Sequence, residues 1–382
     1  IRRPPRSTPL YSSAASDVYK RQISHSSHSK ILLDKISPKL SNLWGISILN
    51  KEEILLTQRS GKVYRLNIFK KKLFEIMGAP EVFNSGQGGL LDIEIEQKNK
   101  RIKVYLCFSK KVNKLQSATA VNSYDFINDK LKNKKSLFVS NKTSSSSRHF
   151  GCRLAIKNDH IYATIGDRGS RNTAQNFNNH SGSVVKILKN GTYFDNKAFK
   201  SSLPEIYSAG HRNPQGLIFN SDKSILWLHE HGPQGGDELN IVLKGKNYGW
   251  PLITFGKEYG SGKKIGIGTS KIGYQDPVKV WIPSIAPSGM LIYNGKMFPK
   301  FKNKIIIGSL KFKRLHILSL QNNNVVDEKI FLENKIGRIR DLAEMNDGSI
   351  IIINDEYDGG VYRLSKLSLI HISEPTRLLS IA

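Results

Sequence analysis

A repeated pattern of short apolar runs and polar turns is the feature that most restricts how this chain can fold. Each unit contains an apolar run, a polar turn, a second apolar run, a glycine-containing turn and a third run that ends in Leu or Ile. Residues 43–67 (LWGISILNKEEILLTQRSGKVYRLN) and 339–365 (IRDLAEMNDGSIIIINDEYDGGVYRLS) show the unit most clearly. Runs of strand length separated by Asn, Asp and Gly at this spacing are typical of all-β proteins.

The spacing of the units predicts which all-β fold the chain adopts. Further copies begin near residues 88, 153, 214 and 288, so six copies fit within residues 31–366. A period of ~40–50 residues with four strands per unit is typical of β-propeller blades, and closure of the ring protects the sheet edges. We predict one all-β domain over residues 31–366, a six-bladed β-propeller. A pair of β-sandwiches is the alternative.

Two segments inside the repeated region are less regular. Residues 130–147 (KLKNKKSLFVSNKTSSSS) predict one short strand and a Ser-rich loop, and the Gly- and Lys-rich residues 255–275 predict a long surface loop. Loops on a rigid scaffold often carry function, so either segment could border the entrance to a site.

The two ends of the chain differ from the repeated region. Residues 1–22 and 367–382 resemble translated adapter sequence, so we treat both as artefacts outside the domain. Any signal peptide would precede residue 23 and is not visible in this sequence. No apolar run reaches the ~18 residues that a membrane helix needs, so no membrane span is expected.

The chain is strongly basic, with 59 Lys and Arg against 31 Asp and Glu and a net charge of +28. Such a charge is a feature of nucleic-acid-binding proteins. Here the lysines are spread over the whole chain, with only small clusters at 70–72, 132–135 and 311–314, and no nucleic-acid-binding motif is present. Specific nucleic-acid binding is therefore not expected, although the charge can attract anionic partners.

The two cysteines, Cys107 and Cys152, lie in strand-like contexts (YLCFS and FGCRL). One disulfide could join them. Buried free cysteine behaves as a small apolar residue, and we expect two buried free thiols.

Residues 205–251 hold the densest group of chemically active side chains. His211, Arg212 and Asn213 precede Pro214, and the acidic, glycine-rich sequence EHGPQGGDELN follows one apolar run. A connecting loop needs Gly, Pro, Asn and Ser, but it does not need Arg, several His and several acids. The segment is therefore a candidate binding or catalytic site.

Two motifs in this stretch, GHRNPQGL and EHGPQGGDELN…NYGWP, resemble the soluble aldose sugar dehydrogenases that use pyrroloquinoline quinone (PQQ), within the glucose/sorbosone dehydrogenase group. The resemblance extends from about Trp44 to Leu364. It implies a six-bladed propeller with PQQ bound over the axis, oxidation of aldoses at C1 to aldonolactones, and a periplasmic or secreted monomer or homodimer. The natural electron acceptor and the preferred sugar are not implied.

A candidate general base is His149 in RHFGCRL. A hairpin between residues 154–157 and 161–165 would return Asp167 of GDRG towards His149, and a carboxylate beside a histidine orients the ring and stabilises its protonated form. A purely structural histidine is the alternative. The resemblance implies that His149 and Asp167 are the catalytic pair, with Cys152 in place of the family's usual small residue.

Four cations lie at predicted strand ends, next to Gly or a turn: Arg212, Lys311, Arg338 and Arg340. They are either solvated surface charges or, if the loops of a propeller bring them together, the receptor for an anionic ligand. PQQ carries three carboxylates. The resemblance implies that Arg212 also polarises the quinone carbonyl, and that the PQQ contacts are Gln87, Arg212, Asn213, Lys311, Arg338 and Arg340.

The carbonyls of Gly232 and Pro233, together with Glu238 and Tyr248, offer the mixture of backbone and carboxylate oxygen ligands that Ca²⁺ accepts. The resemblance implies that the carbonyls of Gly232 and Pro233 hold a Ca²⁺ beside PQQ, and that Glu238 and Tyr248 hold a second, structural Ca²⁺. On the residues alone, without the resemblance, the acids could instead cap a strand or pair with lysines. Trp281, in WIPSIAPSG, is either a wall of the sugar pocket, as the resemblance implies, or a core residue.

Two other functions are compatible with a propeller. A Ca²⁺-dependent lactonase would also place a histidine and acids at the centre, but it needs no cluster of Arg and Lys. A non-catalytic propeller could bind glycans or proteins. The sequence contains no zinc pattern, phosphate-binding glycine loop or nucleophile elbow.

Overall fold

The computed structural model describes residues 20–23, 31–193 and 197–366. Within these residues the regular elements are 25 β-strands and two short 3₁₀ helices, Arg171–Gln175 and Pro299–Phe301. The strands in chain order are β1 (Lys20–Ile23), β2 (Ile31–Lys35), β3 (Leu43–Ile48), β4 (Glu53–Gln58), β5 (Lys62–Asn67), β6 (Lys72–Ile76), β7 (Leu90–Lys98), β8 (Arg101–Lys111), β9 (Ser117–Ile127), β10 (Lys130–Val139), β11 (Gly151–Lys157), β12 (His160–Ile165), β13 (Ser183–Leu188), β14 (Ile206–Ala209), β15 (Pro214–Phe219), β16 (Leu226–Glu230), β17 (Asp237–Ile241), β18 (Lys279–Trp281), β19 (Pro287–Ile292), β20 (Ile305–Ser309), β21 (Arg314–Gln321), β22 (Asn324–Phe331), β23 (Ile339–Glu344), β24 (Ile350–Asn354) and β25 (Val361–Lys366).

The strands form six antiparallel sheets, which are the blades of a six-bladed propeller. Five blades are four-stranded meanders, each built from four consecutive strands from β3 to β22. The sixth blade has the order β1-β2-β25-β24-β23, so the N-terminal strand β2 pairs with the C-terminal strand β25 and closes the ring. The predicted fold is confirmed.

The core is divided among the six interfaces between neighbouring blades, each of which contains its own cluster of buried apolar side chains. Leu55 and Val63 of the first blade, for example, pack against Leu106 of the second, and all three are fully buried. Burying one such side chain is worth ~1.5–3 kcal/mol. A single blade has no other apolar surface to pack against, so the ring is the unit of stability.

The innermost strand of every blade has a register irregularity near its start. Bulges of this kind re-aim side chains.

At the axis, Arg153 Nη1 lies 2.9 Å from Asp92 Oδ1 and 2.9 Å from Asp341 Oδ2. The guanidinium also lies over the ring of Trp44, 4.2 Å from its centre. This buried ion triad joins three blades.

The cysteine prediction is wrong. Cys107 of β8 and Cys152 of β11 form a disulfide, with their Cα atoms 5.5 Å apart. The bond crosses from the second blade to the third, and sequence context alone does not show which strands of neighbouring blades face each other.

The less regular segments turn out differently from each other. Residues 130–139 form one ten-residue strand, β10, rather than a short strand, because they pair with β9 along most of its length. Residues 255–275 carry no regular strand, as predicted. Of the two ends predicted to be foreign, residues 1–19 and 367–382 lie outside the described residues, whereas residues 20–22 form part of β1 at the edge of the sixth blade. The foreign origin of both ends stays a prediction. No helix in the described part of the chain is long and apolar enough to cross a membrane.

Candidate active site

The residues near the start of the six innermost strands enclose two adjoining cavities, of about 400 Å³ and 270 Å³. Each blade contributes to the wall of the larger cavity, through Trp44, Leu91, Gly151, Gln215, Ala286 and Arg340. The two cavities share part of their lining, including Gln87 and Asn213. Volumes of ~300–1,000 Å³ are typical of sites for small ligands and cofactors.

The smaller cavity is lined by His149, which the hairpin β11–β12 brings back to Asp167 as the sequence predicts. His149 Nδ1 lies 2.7 Å from Asp167 Oδ1, and the backbone N–H of His149 donates to Gln87 Oε1 at 2.7 Å. Asp167 is itself fixed, because it accepts hydrogen bonds from the Gly169 N–H at 2.7 Å and from Trp250 Nε1 at 2.8 Å. The imidazole therefore has one defined orientation.

The electrostatics of this pair favour a neutral imidazole beside an ionised carboxylate. Burial lowers the pKa of His149; the hydrogen bond to Asp167 opposes this, and the charges of Arg212 and Arg148 add to the lowering. Burial acts to raise the pKa of Asp167, but the hydrogen bonds from His149, Gly169 and Trp250 outweigh it and leave the pKa below its usual value. A neutral ring that donates Nδ1–H to Asp167 leaves Nε2 as a proton acceptor.

In two buried arginines, Arg212 and Arg340, only some of the guanidinium hydrogen-bond donors have a partner in the protein. Arg212 Nη1 donates to the carbonyls of His231 at 3.0 Å and Gly232 at 2.7 Å, and Arg340 pairs with Asp355. The Nε atoms of both arginines are buried and have no hydrogen-bond partner within the described part of the chain. An orphaned buried donor is costly, so each of these groups fits an anionic ligand.

The larger cavity gathers positive charge. Arg59, Lys311, Arg338 and Arg340 line it, whereas Asp355 is the one carboxylate that the described residues contribute to its lining. Arg338 is 42% exposed and its Nη2 lies 3.8 Å from Asp355, so its charge is available to a ligand. A small, multiply charged carboxylate would offset this excess.

The carbonyl pair Gly232–Pro233 lies in the wall of the smaller cavity. Asp237 holds this loop rather than facing the cavity as a free ligand: its carboxylate accepts from the N–H groups of Gly232 at 2.9 Å and of Ile285 and Ala286 at 2.8 Å each. The Gly232 carbonyl faces the Arg212 guanidinium. A cation bound at this carbonyl would share it with Arg212 or displace the guanidinium.

A separate cavity of about 10 Å³, the size of one water or ion, lies between Glu230, Glu238 and Tyr248. Burial raises the pKa of Glu238 to about 8, and the neighbouring charge of Glu230 adds to the effect. Asn240 donates to Glu238 at 3.3 Å, while its own Oδ1 is buried without a partner among the described residues. A cation in this cavity would offset the charge of the Glu238 carboxylate.

The chemistry of these donors fits calcium better than a transition metal. The described residues contain no group of three or more His, Cys, Asp or Glu placed to hold one ion. The hydroxyl of Tyr248 already donates to the Ile241 carbonyl and accepts from the Leu243 N–H, so only the backbone carbonyl of Tyr248 could serve as a ligand. Mixed carbonyl, amide and carboxylate oxygens are the ligands of Ca²⁺ sites.

A family model described as Glucose / Sorbosone dehydrogenase matches residues 40–363, nearly the whole described ring. The chain belongs to the glucose/sorbosone dehydrogenase family. It is therefore an oxidoreductase, and the predicted family is confirmed.

Two relatives align with most of this chain. Aldose sugar dehydrogenase YliI of Escherichia coli is 34% identical over 346 residues, which are 87% of this chain and 92% of the relative. Quinoprotein glucose dehydrogenase B of Acinetobacter calcoaceticus is 25% identical over 417 residues, 87% of this chain and 86% of the relative.

Solved structures agree with the fold. The apo form of the soluble aldose sugar dehydrogenase of E. coli superposes with a TM-score of 0.81 at 33% identity, and covers 88% of this chain and 99% of that one. The PQQ-bound aldose sugar dehydrogenase of Streptomyces coelicolor superposes with a TM-score of 0.72 at 24% identity, and covers 89% of this chain and 99% of that one.

Most residues that the family resemblance singled out converge, but Trp281 does not. Its side chain is 6% exposed and packs with the core between the fourth and fifth blades, where Nε1 donates to Glu328 at 2.9 Å. The ring is therefore not available to a sugar, and the core interpretation of Trp281 is the one that the structure supports. The cavities contain Gln87, His149, Arg212, Asn213, Gly232, Pro233, Lys311, Arg338 and Arg340.

Sequence reasoning missed several residues of this glucose/sorbosone dehydrogenase site, of which Tyr259 and His231 are two. Tyr259 is 66% exposed and lines the smaller cavity near Arg212, and its signal was its place in the irregular segment 255–275. His231 lines both cavities and lies 2.7 Å from the Pro287 carbonyl; burial lowers its pKa to about 4, so the ring is a neutral wall. Its place between Glu230 and Gly232 in a motif already singled out was the available signal.

Proposed function

We propose that this protein oxidises aldose sugars at C1 to aldonolactones, with PQQ and Ca²⁺ as cofactors. One observation carries the proposal: the His149–Asp167 pair opens onto the cavity that holds Arg212, next to a cavity with a large excess of positive charge. Membership of the family supports the reaction class, and the names of the relatives support the quinone cofactor and the sugar substrate.

Each residue has a distinct task in the proposed reaction. His149 Nε2 removes the proton of the anomeric hydroxyl, and Asp167 keeps the ring in the correct tautomer and stabilises its protonated form. PQQ, when bound, supplies the carbonyl that accepts the C1 hydride. Arg212 would supply the positive charge that stabilises negative charge on the oxygen of that carbonyl. Asn213, Lys311, Arg338, Arg340 and Gln87 would hold the cofactor.

Calcium would act at two places. The carbonyls of Gly232 and Pro233 would hold the ion beside PQQ, where its charge adds to that of Arg212. Glu238 and the Tyr248 carbonyl, which line the small separate cavity, would hold a second ion with a structural role. The disulfide supports an exported enzyme, because disulfides persist in oxidising compartments.

A reconstitution assay tests the proposal. The protein is purified from a host that makes no PQQ, and Ca²⁺ and PQQ are added separately and together with a panel of aldoses and an artificial dye acceptor. We expect sugar-dependent dye reduction that requires both additions. A folded protein that binds no PQQ and reduces no dye would refute the dehydrogenase, and lactone hydrolysis without PQQ would establish the lactonase instead.

The pH dependence of kcat/KM should report His149. Because burial and the nearby arginines hold its pKa below the usual 6.5, the rate should rise with pH, with a midpoint below 6.5, and stay high through neutral pH. In Asp167→Asn the hydrogen bond that raises this pKa is weakened, so the midpoint should move to lower pH while kcat falls. A midpoint that is unchanged in Asp167→Asn would contradict the assignment. The measurement is a steady-state pH profile of both enzymes.

Arg340→Ala should weaken PQQ binding by roughly 10- to 100-fold, since one hydrogen-bonded charge contributes ~1.5–3 kcal/mol. The dissociation constant is measured by fluorescence titration of the apoprotein with PQQ. Arg363→Ala is the matched control, because Arg363 pairs with Asp347 and does not line either cavity. Equal affinities for both variants would remove Arg340 from the site.

Glu238→Gln should reduce the rise in Tm that Ca²⁺ gives the apoprotein, because the neutral amide is a weaker ligand for the second ion. Glu333→Gln is the control: Glu333 is half exposed and pairs with Arg314 in another blade. Scanning calorimetry with and without Ca²⁺ gives the result. A Ca²⁺-induced shift of the same size in both variants would place the structural ion elsewhere.

A further inference from the structure

The disulfide lies next to the proposed catalytic histidine. Cys152 follows His149 by three residues, and its partner Cys107 belongs to the second strand of the neighbouring blade. The bridge therefore attaches the segment that carries His149 to a strand outside its own blade.

The backbone of this segment is unusual. His149, Gly151 and Cys152 all have positive φ angles, of 55°, 66° and 73°. Glycine adopts this region freely, but residues with a side chain do so at a cost. A Cβ at Gly151 would lie 2.8 Å from the Gly166 nitrogen, so the segment also runs very close to the strand that leads to Asp167.

Hydrogen bonds hold part of the segment in place. The Phe150 carbonyl accepts from the Gly166 N–H at 3.2 Å and from Thr119 Oγ1 at 3.1 Å, and the Arg168 N–H donates to the His149 carbonyl at 3.3 Å. Cys152 is the position with a side chain in the left-handed region that also carries a covalent tether. The unfavourable backbone conformation and the covalent tether therefore both occur at residue 152.

We infer that the Cys107–Cys152 bridge is a positioning element for the general base: it holds residue 152 in the left-handed conformation that directs His149 towards Asp167. The inference rests on the proposed function in assigning catalysis to His149, but the geometry it explains does not. Both cysteines are fully buried, so the bridge is a permanent tether that reductants in solution do not reach.

Two double variants separate the tether from the conformation. Cys107→Ala/Cys152→Ala removes the bridge and leaves a residue that disfavours positive φ. Cys107→Ala/Cys152→Gly removes the bridge but supplies a residue that adopts positive φ without it. Turnover, KM and PQQ affinity are measured on the reconstituted enzymes, and the ¹⁵N-labelled His149 ring is followed by NMR in the apoproteins, with His149→Ala used to assign its signals.

In the alanine variant we expect kcat to fall roughly 10- to 100-fold, the scale of a misplaced catalytic group, with KM and PQQ affinity within about twofold of the wild type. The NMR signal of the Nδ1 proton bonded to Asp167 should be lost. The glycine variant should regain most of both properties. Should the alanine variant fail to fold, loss of the Nδ1 signal in the glycine variant would still overturn the inference, because glycine adopts the positive φ angle without the bridge.

Wild-type kcat and an intact Nδ1 signal in the alanine variant would overturn the inference, and so would equal losses in both variants. The failure of the proposed function looks different. If His149→Ala keeps full turnover, His149 is not the base, while the NMR comparison of the apoproteins still shows whether the bridge places its ring.

Discussion

Replacing His149 with alanine is expected to lower kcat by roughly 10²- to 10⁴-fold, the usual contribution of a general base. The affinity for PQQ should stay within about twofold, because the buried arginines that line the cavities, Arg212 and Arg340, are untouched. The imidazole is replaced by a methyl group, which cannot accept a proton. Dye reduction and PQQ titration of the same preparation give both numbers.

His160→Ala is a suitable control for this variant. His160 is the first residue of β12, at the opposite end of the strand from Asp167, and it lines neither central cavity. It should keep wild-type turnover. Full activity in His149→Ala would mean that the base is misassigned. Loss of PQQ binding together with activity would mean that His149 supports the site instead of acting as the base.

The second large effect is expected from Arg153→Met, which should lower the free energy of unfolding by ~3–5 kcal/mol, the cost of leaving buried charges without their partner. Asp92 and Asp341 would both lose the counter-charge that joins their blades. Methionine roughly preserves the apolar stem, so the effect reports the charge more than a cavity. Urea unfolding at constant pH measures it.

The pH dependence of this deficit has a defined sign. Burial raises the pKa of Asp92 to about 6 and raises that of Asp341, and Arg153 opposes both shifts. Without Arg153 the folded-state pKa values rise further above the unfolded values. A carboxyl group whose pKa is higher in the folded than in the unfolded state contributes less to stability as pH increases. The loss of unfolding free energy in Arg153→Met should therefore be larger at pH 8 than at pH 5.

Arg363→Met is the control for Arg153→Met, because Arg363 pairs with Asp347 at the surface, with side chains 21% and 41% exposed. Its cost should be ~0–1 kcal/mol. If Arg153→Met costs no more than this control, the axial triad does not join the blades energetically.

The blades could be predicted from sequence because their pattern is local. In residues 43–67, strand, turn and glycine follow one another within a single unit, and the number of units fixes the number of blades. The same holds for His149 and Asp167, which one hairpin brings together. Local signals were sufficient wherever the partners lay within one blade.

Contacts between blades were not predictable in this way. Whether Cys107 meets Cys152 depends on which face of β8 lies against the third blade, and nothing near either residue encodes that. The sequence left Trp281 between the pocket and the core for the same reason, because nothing near it shows which face of β18 packs against the fifth blade. The orphaned Asn240 oxygen emerges only when the strand register is known.

The closure of the sixth blade has a consequence for biosynthesis. Strand β2 has five residues and leaves the ribosome early, but its partner β25 begins only at Val361. At ~5–20 residues per second, the first of these strands waits on the order of half a minute for the second. The nascent chain therefore carries an open strand edge at each end of the ring until β25 has been made, and both edges must be kept from pairing elsewhere until they meet.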